Sequence, residues 1–120
     1  MKLLLVVILL ISGFTVHAQE DANSGNVLLR TCTAAIKFFN DDESQKADFY
    51  VGVCLGYIQG ISQLNRLNSL NEFCPHGKVT LHQEMRVVHK YLQSHPERLH
   101  EGKIVLVLDA LKEAFPCKKE

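Results

Sequence analysis

Phe49-Tyr50-Val51-Gly52-Val53-Cys54-Leu55-Gly56-Tyr57-Ile58-Gln59-Gly60-Ile61 is the stretch whose reading decides the fold. Its apolar side chains Phe49, Tyr50, Val53, Cys54, Tyr57, Ile58 and Ile61 follow the three-or-four spacing of an amphipathic helix. Gly52, Gly56 and Gly60 repeat every four residues within it and therefore share one side of the helix. Mid-helix glycines cost about 1 kcal/mol each in propensity, so something must offset them. A bare stripe lets another helix approach closely, either a neighbour in the same domain or a second subunit. Gln59, Gln63, Asn65 and Arg66 make a membrane-spanning helix untenable here.

Working outward, Val27, Leu28, Cys32, Ala35, Ile36 and Phe39 give a preceding helix from Asn26. Asn40-Asp41-Asp42-Glu43-Ser44 is a polar turn, and Ser44 is placed to cap the central helix. Downstream, Pro75 and Gly77 mark Asn68 to Val79 as a loop. Thr80-x-x-Gln83 is a capping box that opens a third helix, with Leu81, Met85, Val88 and Leu92 on one face. Pro96 stops it, because the residue before a proline is pushed out of helical geometry. A second connection, His95 to Gly102, leads to a last helix carrying Ile104, Val107, Leu108, Leu111 and Phe115 and ending at Pro116-Cys117. The expected fold is all-α, a small bundle of four to five helices.

The chain has 120 residues, and its 13 basic and 13 acidic side chains leave a formal net charge of zero. That length suits one small domain. The balanced, scattered charge gives no footprint for nucleic acid. The start has a different character. Lys2 is followed by an unbroken apolar run from Leu3 to Ile11, with Val16 and Ala18 at the −3 and −1 positions of a cleavage site. This is the pattern of a secretory signal peptide, shorter than the about 20 apolar residues of a spanning helix. The reading is a signal peptide over 1–18, a flexible leader over 19–25, a helical domain over 26–117 and a short tail over 118–120. After cleavage no membrane insertion is expected.

Cys32, Cys54, Cys74 and Cys117 all lie beyond the leader. An even number of cysteines in an exported chain reads as two disulfides, useful in a short chain that buries a modest fraction of its surface. Four cysteines allow three pairings. In an antiparallel hairpin turning near Asp42-Glu43, Cys32 lies opposite residue 53, one step from Cys54. That favours Cys32–Cys54 and leaves Cys74–Cys117 to tie the central loop to the C-terminal end.

The residues offer no obvious chemistry. His82 has Arg86 four residues later, and His82 and His89 are about 10.5 Å apart along a helix axis, too far for one metal. No Cys-x-x-Cys, His-Glu-x-x-His or Gly-x-Ser-x-Gly occurs. Asp41-Asp42-Glu43 reads as a solvated turn, and no glycine-rich phosphate loop is present. No metal and no cofactor is expected, and the chain reads as a binding protein without catalysis.

A family signal remains. It is carried by Cys54-Leu55-Gly56-Tyr57-Ile58-x-Gly60, Phe73-Cys74-Pro75, Val79-Thr80 and Val87-Val88-x-Lys90-Tyr91-Leu92. His95-Pro96-Glu97-Arg98-Leu99-His100 and Ala110-Leu111-Lys112-Glu113-Ala114-Phe115-Pro116-Cys117 complete it. In order and spacing these words resemble the Rap/Tai family of immunity proteins, which neutralise peptidoglycan amidase effectors of the type VI secretion system. The resemblance runs from about Gly25 to Cys117. It implies a periplasmic, helical, disulfide-containing homodimer that binds a papain-like amidase and occludes its active-site cleft, using a protruding loop of one subunit and a helix of the other. Asn68 to Val79 and His95 to Gly102 are the two candidate loops. The partner-binding candidates are Asn65, Arg66, Asn68 and Asn71 at the helix exit, with Glu72, His76 and Lys78 in the loop, all expected to be exposed. A small periplasmic acid-stress chaperone, or an envelope binding protein with another partner, is the alternative.

Overall fold

A computed structural model describes residues 20–40, 49–67 and 70–118. The signal-peptide residues, the capping candidate Ser44 and the binding candidate Asn68 lie outside the described residues. Among those described, four α-helices form the domain: α1 (Gly25–Phe39), α2 (Phe49–Leu67), α3 (Leu81–Ser94) and α4 (Lys103–Ala114). A single 3-10 turn, Pro96–Arg98, follows α3. The fold is the expected all-α bundle, and among the described residues no helix is long and apolar enough to cross a membrane.

The core is built from one face of each helix. Leu28, Cys32 and Ala35 of α1 meet Cys54, Ile58 and Ile61 of α2. Met85, Val88 and Leu92 of α3 and Leu106, Val107, Ala110 and Leu111 of α4 close the other side. Both expected disulfides are present, Cys32–Cys54 and Cys74–Cys117. The first is wholly buried in the α1–α2 seam. Phe73, although in a loop, is also buried and adds a large ring to the core.

The ends of α3 follow from local sequence. Thr80 Oγ1 accepts from the Gln83 amide at 3.2 Å while Gln83 Oε1 accepts from the Thr80 amide at 2.8 Å, so the capping box is complete. Glu84 in the first turn also suits the positive end of the helix dipole. At the other end His95 leaves helical geometry and Pro96 begins the 3-10 turn.

Two expectations bear on how the helices are joined. The stretch 19–25 was expected to be a flexible leader, yet its last residues are fastened to the α3–α4 connection. Ser24 forms a bridge with Gly102, the Gly25 amide donates to the Glu101 carbonyl at 2.9 Å, and the Lys103 amide donates to the Asn23 carbonyl at 2.7 Å. Gly25 is needed for that approach, since a Cβ there would lie 2.3 Å from Leu106 Cδ1 and 3.1 Å from the Leu99 carbonyl oxygen. The second concerns Gly52, Gly56 and Gly60, for which a same-domain neighbour and a second subunit were both open. Among the described residues no helix packs against them, because a Cβ on any of the three would meet nothing within 4 Å. The apolar face of α2 that enters the core is Val51, Cys54, Ile58 and Ile61, on the opposite side.

Candidate partner-binding surface

The loop between α2 and α3 is fixed at its base from several directions. Asn65, in the last turn of α2, donates through Nδ2 to the Phe73 carbonyl at 2.8 Å and accepts the Glu72 amide at 3.0 Å. The Cys74 amide donates to the Phe115 carbonyl at 2.8 Å beside the Cys74–Cys117 bridge. Glu72 is ion-paired with Lys112 of α4. Phe73 in the core completes the anchorage.

Asn65 was expected to be exposed and is instead buried at 7% exposure. Its amide group mimics a backbone partner for residues 72 and 73, so it positions the loop. Arg66 is exposed and donates through Nη2 to Glu84 Oε1 at 3.2 Å. Glu84 is buried at 1% exposure and also accepts from Ser62 Oγ at 2.6 Å. A buried carboxylate is costly unless paired and hydrogen-bonded, and these two donors satisfy it. Ser62 and Glu84 therefore join the site, and neither carried a signal in the sequence. Asn71, Glu72, His76 and Lys78 are exposed.

Beyond Cys74, residues 76–78 are exposed. Asn71 and Gly77 take positive φ of 51° and 74°, the left-handed region that Gly adopts freely and Asn tolerates. The loop and the exit of α2 enclose an open cavity of about 600 Å³, lined by Asn65, Arg66, Asn71, Phe73, Cys74, Pro75, Gly77, Lys78 and Val79.

The other candidate loop is fastened through Arg98, Leu99 and Glu101. Arg98 grips Glu101 through two hydrogen bonds of 2.8 and 2.7 Å, reaches Asp109 of α4 at 2.8 Å and donates to the Tyr91 hydroxyl. The hydrogen bonds from Arg98 hold the Glu101 carboxyl below its ordinary range. The Leu99 carbonyl accepts from both the Asn26 amide and its side chain. The Arg98-x-x-Glu101 spacing is the kind of local ion pair a sequence can reveal, whereas the reach to Asp109 and Tyr91 is not.

A third surface is apolar. Phe49 and Leu67 on α2 are each 79% exposed, and Leu64, Leu70 and Ile104 are more than half exposed. A shallow hollow of about 270 Å³ is lined by Ile61, Leu64, Leu70, Ile104 and Leu108, with Asn65, Glu72 and Lys112 at its polar margin. The open glycine stripe runs along the same helix. Among the described residues no three His, Cys, Asp or Glu come together as metal ligands. His82 instead lies against Phe39 and Arg86, and His89 is hydrogen-bonded to Thr33.

No curated protein sequence matches the chain. The model of the Rap1a immunity proteins matches it over residues 24–117. That span takes in the four helices, both disulfides and the anchored loop, and the chain belongs to this family.

Proposed function

We propose that this chain is a periplasmic immunity protein that binds a type VI secretion effector, a papain-like peptidoglycan amidase, and occludes its active-site cleft with the loop 70–79. It does so as an inhibitor without catalysis of its own. The observation that carries the reading is the contrast within that loop. Residues 72–74 are tied to α2, α4 and the C-terminal end, while His76, Gly77 and Lys78 stand exposed. A segment already ordered before it meets its partner loses less conformational entropy on binding. Membership of an immunity family supplies the functional class. The paired cysteines and the leader pattern at 1–18 support export.

The same proposal takes the protein as a homodimer that meets across α2. Its support is the glycine stripe, open to a close helix approach, beside the exposed Phe49, Leu64 and Leu67.

The test is a pull-down with the oxidised protein from the periplasm of cells in contact with sibling competitors. Recovery of one stoichiometric papain-like amidase, lost when residues 75–79 are replaced by Gly-Ser, is the expected result. Full inhibition by the replaced variant removes this loop from the mechanism. A spread of unrelated clients that grows at low pH replaces the reading with the acid-stress chaperone.

A further inference from the structure

The cavity under the loop has a chemical character of its own. Two cations, Arg66 and Lys78, line it, and no acidic residue does. Two neighbouring carboxylates are already partnered, Glu84 by Arg66 and Ser62 and Glu72 by Lys112. Among the described residues Lys78 has no ion-pair partner, and Arg66 Nε and Nη1 have no acceptor. The amides of Gly77, Lys78 and Val79 likewise donate to nothing within the described chain. Cationic side chains and unpaired backbone N–H groups around one hollow make an anion receptor. Phe73, Pro75 and Val79 supply apolar wall beside it.

We propose that this cavity receives an acidic side chain, Asp or Glu, from a surface segment of the partner protein. The inference rests on the immunity reading for the identity of that partner. A monoanion fits better than a phosphate, because Glu84 already neutralises Arg66 and leaves one uncompensated charge, that of Lys78. The apolar wall fits the methylene stem of a carboxylate side chain, and Arg66, beyond its Nη2 bond to Glu84, keeps Nε–H and Nη1–H as donors for a carboxylate oxygen. Contact at this end of the molecule is then reciprocal. The loop tip enters the partner while the hollow behind it takes one of the partner's carboxylates.

The first experiment needs no effector. The oxidised protein, isotope-labelled, is titrated with N-acetyl-glutamate N-methylamide and with its neutral glutamine counterpart while amide and Arg66 Nε–H resonances are followed. Saturable shifts at Gly77, Lys78 and Arg66 with the glutamate probe, at least about tenfold weaker with the glutamine probe, support the site. Lys78→Met should abolish them and Lys78→Arg should keep them. Equal responses to both probes, or shifts confined to other surfaces, overturn the proposal. Tighter saturation of the same amides by inorganic phosphate overturns the carboxylate assignment. In a second arm, the effector recovered with the wild-type protein should bind Lys78→Glu about 10- to 100-fold more weakly and Lys78→Arg nearly normally. Unchanged binding of Lys78→Glu sinks the pocket while leaving the loop reading intact. Recovery of no effector sinks the loop reading, and the probe titration still decides the cavity.

Discussion

Two connections of this molecule, residues 70–79 and 95–102, solve opposite problems. In residues 95–102 Arg98 holds Glu101, Asp109 and Tyr91, and the Leu99 and Glu101 carbonyls receive the start of α1. Residues 70–79 are bonded inward only at their base, through Asn65, Cys74 and Glu72, and their tip is left for solvent or a partner. The first connection closes the fold, and the second is a rigid mount for something exposed. The two disulfides divide the same way. Cys32–Cys54 is wholly buried, whereas Cys74 and Cys117 are each partly exposed.

The sharpest way to break the comparison is through the disulfides. Loop-closure entropy assigns about 3.4 kcal/mol to the Cys32–Cys54 bridge and about 4.0 kcal/mol to Cys74–Cys117, so replacing either pair by Ala should cost similar stability. Partner binding should separate them, with Cys74→Ala/Cys117→Ala losing it and Cys32→Ala/Cys54→Ala retaining it at a temperature where both are folded. Graded reduction followed by thiol-specific mass tagging should open Cys74–Cys117 first. Simultaneous opening would show that the loop and the core unfold as one unit.

A smaller effect is expected at Asn65. Asn65→Ala leaves the Glu72 amide and the Phe73 carbonyl without their partner and should lower unfolding free energy by about 2 kcal/mol. Hydrogen exchange should quicken at residues 72–74 and stay unchanged in the segment 95–102. Gly56→Ala sharpens the reading of the third surface. Nothing lies within 4 Å of the added Cβ, so the monomer should gain about 1 kcal/mol in helix propensity. If two copies meet across the stripe, the same substitution weakens self-association, which sedimentation at several concentrations would show. A gain in stability with unchanged association removes the stripe from any interface.

The smallest effects are in pH. Glu101 is held below its ordinary range by Arg98, so its contribution is fully present above about pH 4.3 and is lost as the pH falls through its lower folded value. Burial lowers the His89 imidazole, so below about pH 6.5 the unfolded chain takes up the proton first and stability declines. Urea midpoints at about pH 7.5 and about pH 5.5 should therefore differ, and His89→Gln should narrow the gap. An unchanged gap would mean that His89 does not contribute to it.

Much of the fold was legible because its determinants are local. Thr80 and Gln83 sit three residues apart and cap α3, Pro96 stops it, and the α1–α2 hairpin brings Cys32 to Cys54 by register alone. The rest depended on which way a helix faces. The spacing of Gly52, Gly56 and Gly60 defines a stripe without saying what lies on it, and the stripe proved open. Asn65 reads as a polar surface residue until the loop it holds is in place. Glu84 looks like an ordinary first-turn acid, and only the return of α3 beside Ser62 and Arg66 shows it buried. The ties of residues 23–25 are not legible in the sequence, because their partners, Glu101 to Lys103, lie far along the chain.

The Cys74–Cys117 bridge also sets an order of events. A chain that emerges N-terminus first can pair Cys32 with Cys54 while its second half is still being delivered. Cys74 must wait for residue 117, and so must the Cys74 amide for the Phe115 carbonyl and Glu72 for Lys112. The loop is therefore the last part of the molecule to mature, and a chain cut short before Phe115 would carry the hairpin with its exposed segment unset.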